Sequence, residues 1–214
     1  MKNKYNKDGY VIIRNFLDKK ICNYLYEYSK NDVIRGSWYE HNVKNSEFDD
    51  ILKPWGSFND GQVSNHFSKY GDLTFDTILS YKFNDIQKHT DKDIIAMYSY
   101  YRFYTTGATL EKHTDRSAAE ITGTITLGND FSNLKNKKYF WPICFRNKKN
   151  KTFSIKLNIG DALFYKGDLL EHWRDTFLGK NQSQVFLHLT KRDNLKNTKG
   201  PYDGRPFLGY NFHL

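Results

Sequence analysis

Histidine and aspartate one residue apart stand at His113-Thr114-Asp115, and a second histidine, His172, follows far along the chain in Glu171-His172-Trp173-Arg174. Successive side chains on a strand point to opposite faces, so His113 and Asp115 project to one side of it while Thr114 points away. His172, carried by a distant strand, adds a second imidazole. Two neutral nitrogens and one carboxylate then grip one face of a divalent metal and leave the other face free for further ligands.

That donor set lowers the charge of the metal by only one unit, so a bidentate anion and dioxygen can both enter. Zinc accepts the same ligand types in hydrolases, but the helical HExxH spacing of those enzymes is absent. The strand-borne HxD favours ferrous iron, held as in the facial triad of non-haem oxygenases. An isolated HxD is a weak signal, since a histidine beside an acid is often an ordinary surface or core pair. Its setting strengthens it: the strand-like run Gly160-Asp161-Ala162-Leu163-Phe164-Tyr165 leads directly towards His172.

The elements that must position these residues are short. Gly9 to Phe16 reads as a first strand, and Asp18 is placed to cap a helix on which Ile21, Leu25 and Tyr28 share a face. Ser29 to Gln62, with Trp38, Pro54 and Trp55, is polar and aperiodic and reads as irregular. Leu73 to His89 carries Ile78, Leu79, Phe83 and Ile86 at helical spacing, predicting one packed helix that ends near Lys88. From Asp91 the period changes. Ile94–Tyr104, Glu120–Leu127, Lys138–Phe145, Phe153–Leu157, Ala162–Tyr165 and Val185–Thr190 are short runs rich in aromatic and β-branched residues, separated by Gly, Asn and Asp. They predict a mainly β fold, a barrel or jelly roll buttressed by N-terminal helices.

Composition permits one domain. The 214 residues contain neither an internal repeat nor a Pro-rich linker, so residues 1–214 read as a single domain with its core at about 91–190. Aromatic residues make up 17% of the chain and supply the apolar area that a 38% hydrophobic fraction lacks. Cys22 and Cys144 stand far apart, which fits a reduced, cytoplasmic compartment better than a disulfide framework. The opening residues lack the apolar stretch of a signal peptide, and no run is apolar enough to span a bilayer. The net charge of +9 is concentrated in Lys/Asn stretches, Asn133–Lys138 and Arg146–Lys151, that read as solvated loops. A basic surface for an anionic partner such as nucleic acid is the less favoured reading.

From Asp91 to Leu189 the chain resembles the Fe(II)/2-oxoglutarate-dependent dioxygenase superfamily, on the side of the prolyl hydroxylases and phytanoyl-CoA-type hydroxylases. The opening Asp8-Gly9-Tyr10-Val11-Ile12-Ile13 echoes it more weakly. The resemblance implies a double-stranded β-helix, a jelly roll with Fe(II) at its open end, and His113, Asp115 and His172 as its ligands. It implies 2-oxoglutarate as cosubstrate, ascorbate as a reductant, and hydroxylation of an unactivated C–H of a peptide residue such as proline or of a small metabolite, with release of succinate and CO2. Asp115 favours hydroxylation over halogenation, which needs that ligand position vacant.

The chain departs from the family at one point. Members usually place a cation on the strand after the second histidine to hold the distal carboxylate of 2-oxoglutarate, and here the window reads Asn181, Gln182, Ser183, with Lys180 slightly early. Arg174 is a candidate replacement, two residues beyond His172 and so on its face of the strand. Arg102 and Tyr104 also share a face, on the strand before His113 where related dealkylases make cosubstrate contacts. An inward guanidinium needs a partner: Glu171, Asp175, Glu120 or a bound molecule would serve.

The remaining aromatic and basic residues read less sharply. Tyr98, Tyr100, Tyr101 and Phe103 are expected in the barrel wall, His188 as a satisfied core histidine, and Arg116 as a guide for an anionic substrate or a surface ion pair. The tail from Lys196 to Leu214 is expected to lie across the barrel or its rim. A catalytically silent β-barrel binding module and a cupin-type metal hydrolase or isomerase are the alternatives to the oxygenase.

Overall fold

The computed structural model describes residues 4–44, 46, 56–91, 93–147 and 150–210. Pro54 and Trp55, two residues of the Arg146–Lys151 stretch and the last four of the tail lie outside them.

A short helix α1 (Lys4–Asp8) and strand β1 (Tyr10–Ile13) lead into α2 (Lys19–Asn42). The Asp18 carboxylate accepts from the backbone N–H of Lys20 at 2.7 Å, the N-cap expected from sequence. The helix then runs on to Asn42, well beyond Tyr28, so the first part of the stretch read as irregular is helical. Its buried stripe is Cys22, Leu25, Ser29, Asp32, Gly36 and Tyr39, a helical period written half in polar and small residues. Buried Asp32 accepts from the hydroxyl of Tyr101 and lies 3.5 Å from the Lys69 ammonium, and Gly36 makes room for the Phe67 ring. Ile21, placed on the packed face by sequence, is 46% exposed.

Strands β2 (Ser57–Phe58) and β3 (His66–Tyr70) precede two helices, α3 (Leu73–Tyr81) and α4 (Phe83–His89). Neither strand was legible from sequence, and the single helix expected over Leu73–His89 is interrupted at Lys82, whose φ/ψ of −91/0 leaves the helical region. Then follow β4 (Ile94–Thr105), β5 (Leu110–His113), β6 (Ile121–Asp130), β7 (Ile143–Arg146), β8 (Thr152–Ile155), β9 (Ala162–Lys166), β10 (Glu171–Arg174) and β11 (Asn181–Lys191). The strand expected over Lys138–Phe145 begins only at Ile143, because Trp141 is committed elsewhere: its indole N–H donates to the Asp175 carbonyl at 2.6 Å.

These strands form two antiparallel sheets, ordered β1-β9-β6-β11-β4-β3-β2 and β5-β10-β7-β8. The architecture is the expected mainly β jelly roll with helices against one face. Along β4 the two faces diverge. Tyr101 and Phe103 turn out to the helical layer, where they meet Phe75 and Tyr26, whereas Tyr98, Tyr100 and Arg102 turn inward to a cavity between the sheets. The tail folds back, as expected, through 3-10 turns at Arg192–Asn197 and Pro201–Gly204. Both cysteines are free thiols, and among the described residues no helix is long and apolar enough to cross a membrane.

Candidate metal centre

His113 and His172 face each other across β5 and β10 as a cross-strand pair, with ring centroids 4.2 Å apart. Register alone therefore brings residues far apart in sequence into contact. Asp115 does not share a strand with His113 as the sequence suggested, since β5 ends at His113. Its position comes instead from its backbone N–H, which donates to the Gly167 carbonyl at 2.8 Å. A Cβ on Gly167 would overlap Asp115 Oδ2, Thr122 Oγ1 and the Ala119 carbonyl, so only glycine lets the two segments approach.

Every atom not aimed at the centre of the triad is already occupied. His113 Nδ1 lies 2.8 Å from the Glu111 carbonyl and His172 Nδ1 lies 2.8 Å from the Leu170 carbonyl. A carbonyl only accepts, so both Nδ1 atoms carry the proton and both Nε2 atoms keep a lone pair. Thr122 Oγ1 donates to Asp115 Oδ2 at 2.6 Å. Oδ1 remains, 3.6 Å from His113 Nε2 and 3.7 Å from His172 Nε2. The three ligand atoms lie within 4.8 Å of one another, and among the described residues this is the only such group of three or more His, Cys, Asp or Glu side chains. The donors suit ferrous iron: two lone-pair imidazoles fixed in tautomer from behind, one ionised carboxylate, and no fourth His, Cys, Asp or Glu ligand among the described residues.

Electrostatics agree with that arrangement at Asp115 and His172. Burial alone would raise the Asp115 carboxyl, but the neighbouring imidazoles of His113, His172 and His188, protonated at the acid pH where the carboxyl would titrate, and the Thr122 hydroxyl outweigh it and hold the group below the usual carboxylate range. Burial lowers the His172 imidazole, keeping it neutral and able to ligate. In His113 burial also acts to lower, but the nearby Asp115 carboxylate and the Glu111 carbonyl prevail and raise it, so metal binding there competes with a proton.

A cavity of about 440 Å³ opens onto the triad, bounded by Tyr98, Tyr100 and Arg102 of β4, by Asp60, Tyr165 and Phe186, and by Arg116 and His188. The volume is in the range of small-molecule sites. Arg102 faces inward, as the sequence allowed, but it is already held: its Nη2 donates to Asp60 Oδ2 at 2.7 Å and Gln62 Oε1 at 2.9 Å, while its buried Nε has no partner. Arg174 is buried beside Tyr104, Trp141 and Tyr165, and of these four only Tyr165 lines the cavity. None of the carboxylates considered for it is there. Glu171 lies 3.2 Å from Arg146, and Glu120 lies 2.9 Å from Lys191. Arg174 donates from Nη1 to the Trp141 carbonyl, and its Nε and the Tyr104 hydroxyl are both buried without a partner. Lys180 is 54% exposed and lies 3.9 Å from Asp130, away from the cavity.

Several residues that build the site gave no sequence signal. Asp60 sits in the stretch read as irregular. Thr122 and His188 acquire a role only when β6 and β11 pair in register, and His188 is buried and partnered by Thr122, as expected of a satisfied core residue, while also lining the cavity. Burial lowers its imidazole to about 4, so the ring is neutral. Arg116 forms an ion pair with Asp203 from the tail, at 2.8 and 2.5 Å, and lies over the Tyr98 ring.

The sequence matches no protein-family model and no curated protein. Solved structures do match. A prolyl-4-hydroxylase from Pseudomonas putida superposes with a TM-score of 0.60 at 10% identity, covering 86% of this chain and 93% of that one. A prolyl hydroxylase from Trichoplax adhaerens, in complex with a hypoxia inducible factor peptide fragment, gives 0.58 at 14% identity, covering 89% and 87%. HygX from Streptomyces hygroscopicus, with nickel and 2-oxoglutarate bound, gives 0.57 at 10% identity, covering 86% and 83%. The fold is that of the Fe(II)/2-oxoglutarate-dependent oxygenases. The His-Asp-His cluster lies between its two sheets.

Proposed function

We propose that this chain is an Fe(II)- and 2-oxoglutarate-dependent oxygenase that hydroxylates an unactivated C–H bond of a peptide residue, such as proline, or of a small metabolite. The observation that carries the reading is the triad, with two Nε2 lone pairs and one free carboxylate oxygen converging on one point. Prolyl hydroxylases and a protein binding nickel and 2-oxoglutarate among the structural neighbours support it.

His113, Asp115 and His172 would hold the iron. When bound, iron and 2-oxoglutarate supply the oxidation, in which dioxygen is consumed, succinate and CO2 leave and one oxygen atom enters the substrate. The chain supplies position and polarity. Arg174 and Tyr104 have buried donors without partners, Arg174 Nε and the Tyr104 hydroxyl. A buried guanidinium with no carboxylate partner carries a desolvation cost, and the distal carboxylate of 2-oxoglutarate would offset it. Arg102, fixed by Asp60 and Gln62, faces the cavity and favours an anionic group nearer the metal. Tyr165 and Phe186 line the same space with their rings.

Succinate formation from 2-oxoglutarate under air, with iron added, tests the reading across a panel of proline-containing peptides, free amino acids and other small metabolites. Substrate-dependent succinate release that disappears in Asp115→Ala supports it. Absence of any release in the wild-type chain, with or without substrate, overturns it.

A further inference from the structure

Thr122 Oγ1 has one proton and three polar neighbours: Asp115 Oδ2 at 2.6 Å, the Ala119 carbonyl at 3.1 Å and His188 Nδ1 at 3.2 Å. The carboxylate and the carbonyl can only accept. If His188 Nδ1 accepted as well, three acceptors would compete for one hydrogen and the ionised Asp115 would lose its donor for part of the time. With Nδ1 protonated every contact is satisfied. The imidazole N–H donates to a lone pair of the hydroxyl, and the hydroxyl proton goes to its shortest contact, Asp115 Oδ2.

We infer that His188 is a positioning residue for the metal centre: its Nδ1–H orients the Thr122 hydroxyl, which holds Asp115 Oδ2 and leaves Oδ1 as the one oxygen offered to the metal. The inference rests on reading the triad as that centre. Backbone register fixes the chain of groups, because His188 of β11 and Thr122 of β6 are direct cross-strand partners. Aromatic packing fixes the ring, with Tyr98 at 4.4 Å between centroids and Phe186 nearly parallel at 6.4 Å. The missing Cβ of Gly167 leaves Asp115 Oδ2 and Thr122 Oγ1 the space to meet. Oδ1, the oxygen the relay leaves free, is the one that faces both Nε2 atoms.

Groups behind a metal ligand set its affinity by fixing its orientation, and losing one typically weakens binding by about 10–100-fold. The test is Co(II) affinity of the full chain, read from the visible absorption of the bound ion, with the unfolding midpoint of each metal-free variant as a folding control. Thr122→Val keeps the shape, loses the hydroxyl and should weaken Co(II) binding by about 10–100-fold, while Thr122→Ser should restore it. His188→Phe keeps a ring packed against Tyr98 and should weaken binding in the same direction, and His188→Asn, whose amide nitrogen can stand in for Nδ1–H, should recover part of the loss. Because His188 acts through Thr122, the double variant should bind no more weakly than Thr122→Val alone.

Wild-type affinity in both Thr122→Val and His188→Phe, with binding abolished in Asp115→Ala, would overturn the relay and leave the metal centre intact. Additive losses in the double variant would also overturn it, by showing that His188 acts independently. A wild-type chain that takes up no Co(II) would remove the metal centre itself and the relay with it.

Discussion

The guanidinium of Arg174 lies 4.8 Å from the Trp141 ring centroid and donates to the Trp141 carbonyl at 2.6 Å, so one residue's ring and backbone hold a buried cation that no carboxylate among the described residues reaches. Burial pushes this guanidinium down from its ordinary value. The charge is a cost to the empty protein and an asset to a protein with an anion bound. Arg174→Met should therefore leave the unfolding midpoint of the ligand-free chain unchanged or raise it. It should raise the 2-oxoglutarate KM by about 10–100-fold, the value of a charge-assisted hydrogen bond of about 1.5–3 kcal/mol. Iron binding should survive. An unchanged KM would make Arg174 structural and return attention to Arg102.

Gly167→Ala probes the approach of two segments. A Cβ there would overlap Asp115 Oδ2, Thr122 Oγ1 and the Ala119 carbonyl, so the Asp115–Thr122 contact that sets the carboxylate must shift. Metal affinity should fall by at least tenfold, a larger effect than any loss of stability would account for, as measured by Co(II) titration beside urea unfolding. Wild-type affinity in this variant would show that the site tolerates a displaced carboxylate.

Asp60 ties the loop before β3 to the cavity wall. Burial would raise its carboxyl, but bonds from His66, Arg102 and the Gln62 backbone N–H outweigh that and hold it well below the usual range. A folded-state value below the unfolded one means that the unfolded chain takes up more protons as pH falls. The stability Asp60 contributes is thus present above about pH 4 and is lost below it. Its side chain is 26% exposed, so the term is small, about 1 kcal/mol. Asp60→Asn should be less stable than wild type at pH 7, with the difference shrinking towards pH 2 in urea unfolding. A constant difference across that span would show that Asp60 acts through shape and not charge.

The tail is anchored by a buried pair, Arg205 Nη1 to Asp76 Oδ2 at 2.8 Å, with both side chains 1% exposed or less. Gly209 N–H and Ser99 N–H also donate to Asp76, and Arg205 Nη2 donates to the Met97 carbonyl. This anchor brings Asp203 to Arg116 and to the Tyr70 hydroxyl at the cavity rim. Removing one partner of a buried pair strands the other, at a cost of about 3–5 kcal/mol. Arg205→Met should lose that much in urea unfolding, and adding Asp76→Asn should recover part of it. A change below about 0.5 kcal/mol would place the tail's stability elsewhere.

Much of the candidate site was legible because the expected metal ligation demands particular side chains: His113, Asp115 and His172 stood out by type and the structure brings them together, and the aromatic strands around them stood out by period. The inward turn of Arg102 and the burial of Arg174 followed from strand alternation. Less visible were features created by pairing between distant segments. Thr122 and His188 are unremarkable until β6 and β11 align, and Asp60 reaches Arg102 only because the loop before β3 folds over β4. The second half of α2 escaped notice because its buried stripe carries Ser29, Asp32 and Gly36, whose burial depends on partners such as Tyr101 and Lys69 that sequence periodicity cannot supply. Asp115 was placed on the wrong element for a related reason, since Gly167 and Thr122 hold it and not the pleat of β5.

Anaerobic titration of the full chain with Fe(II) and then 2-oxoglutarate addresses the triad most directly. One iron per chain, a visible charge-transfer band that appears only when 2-oxoglutarate is added, and loss of that band in His172→Ala and Asp115→Ala are the predicted results. Iron bound without any band on adding 2-oxoglutarate, or a band that persists in both variants, would contradict the account.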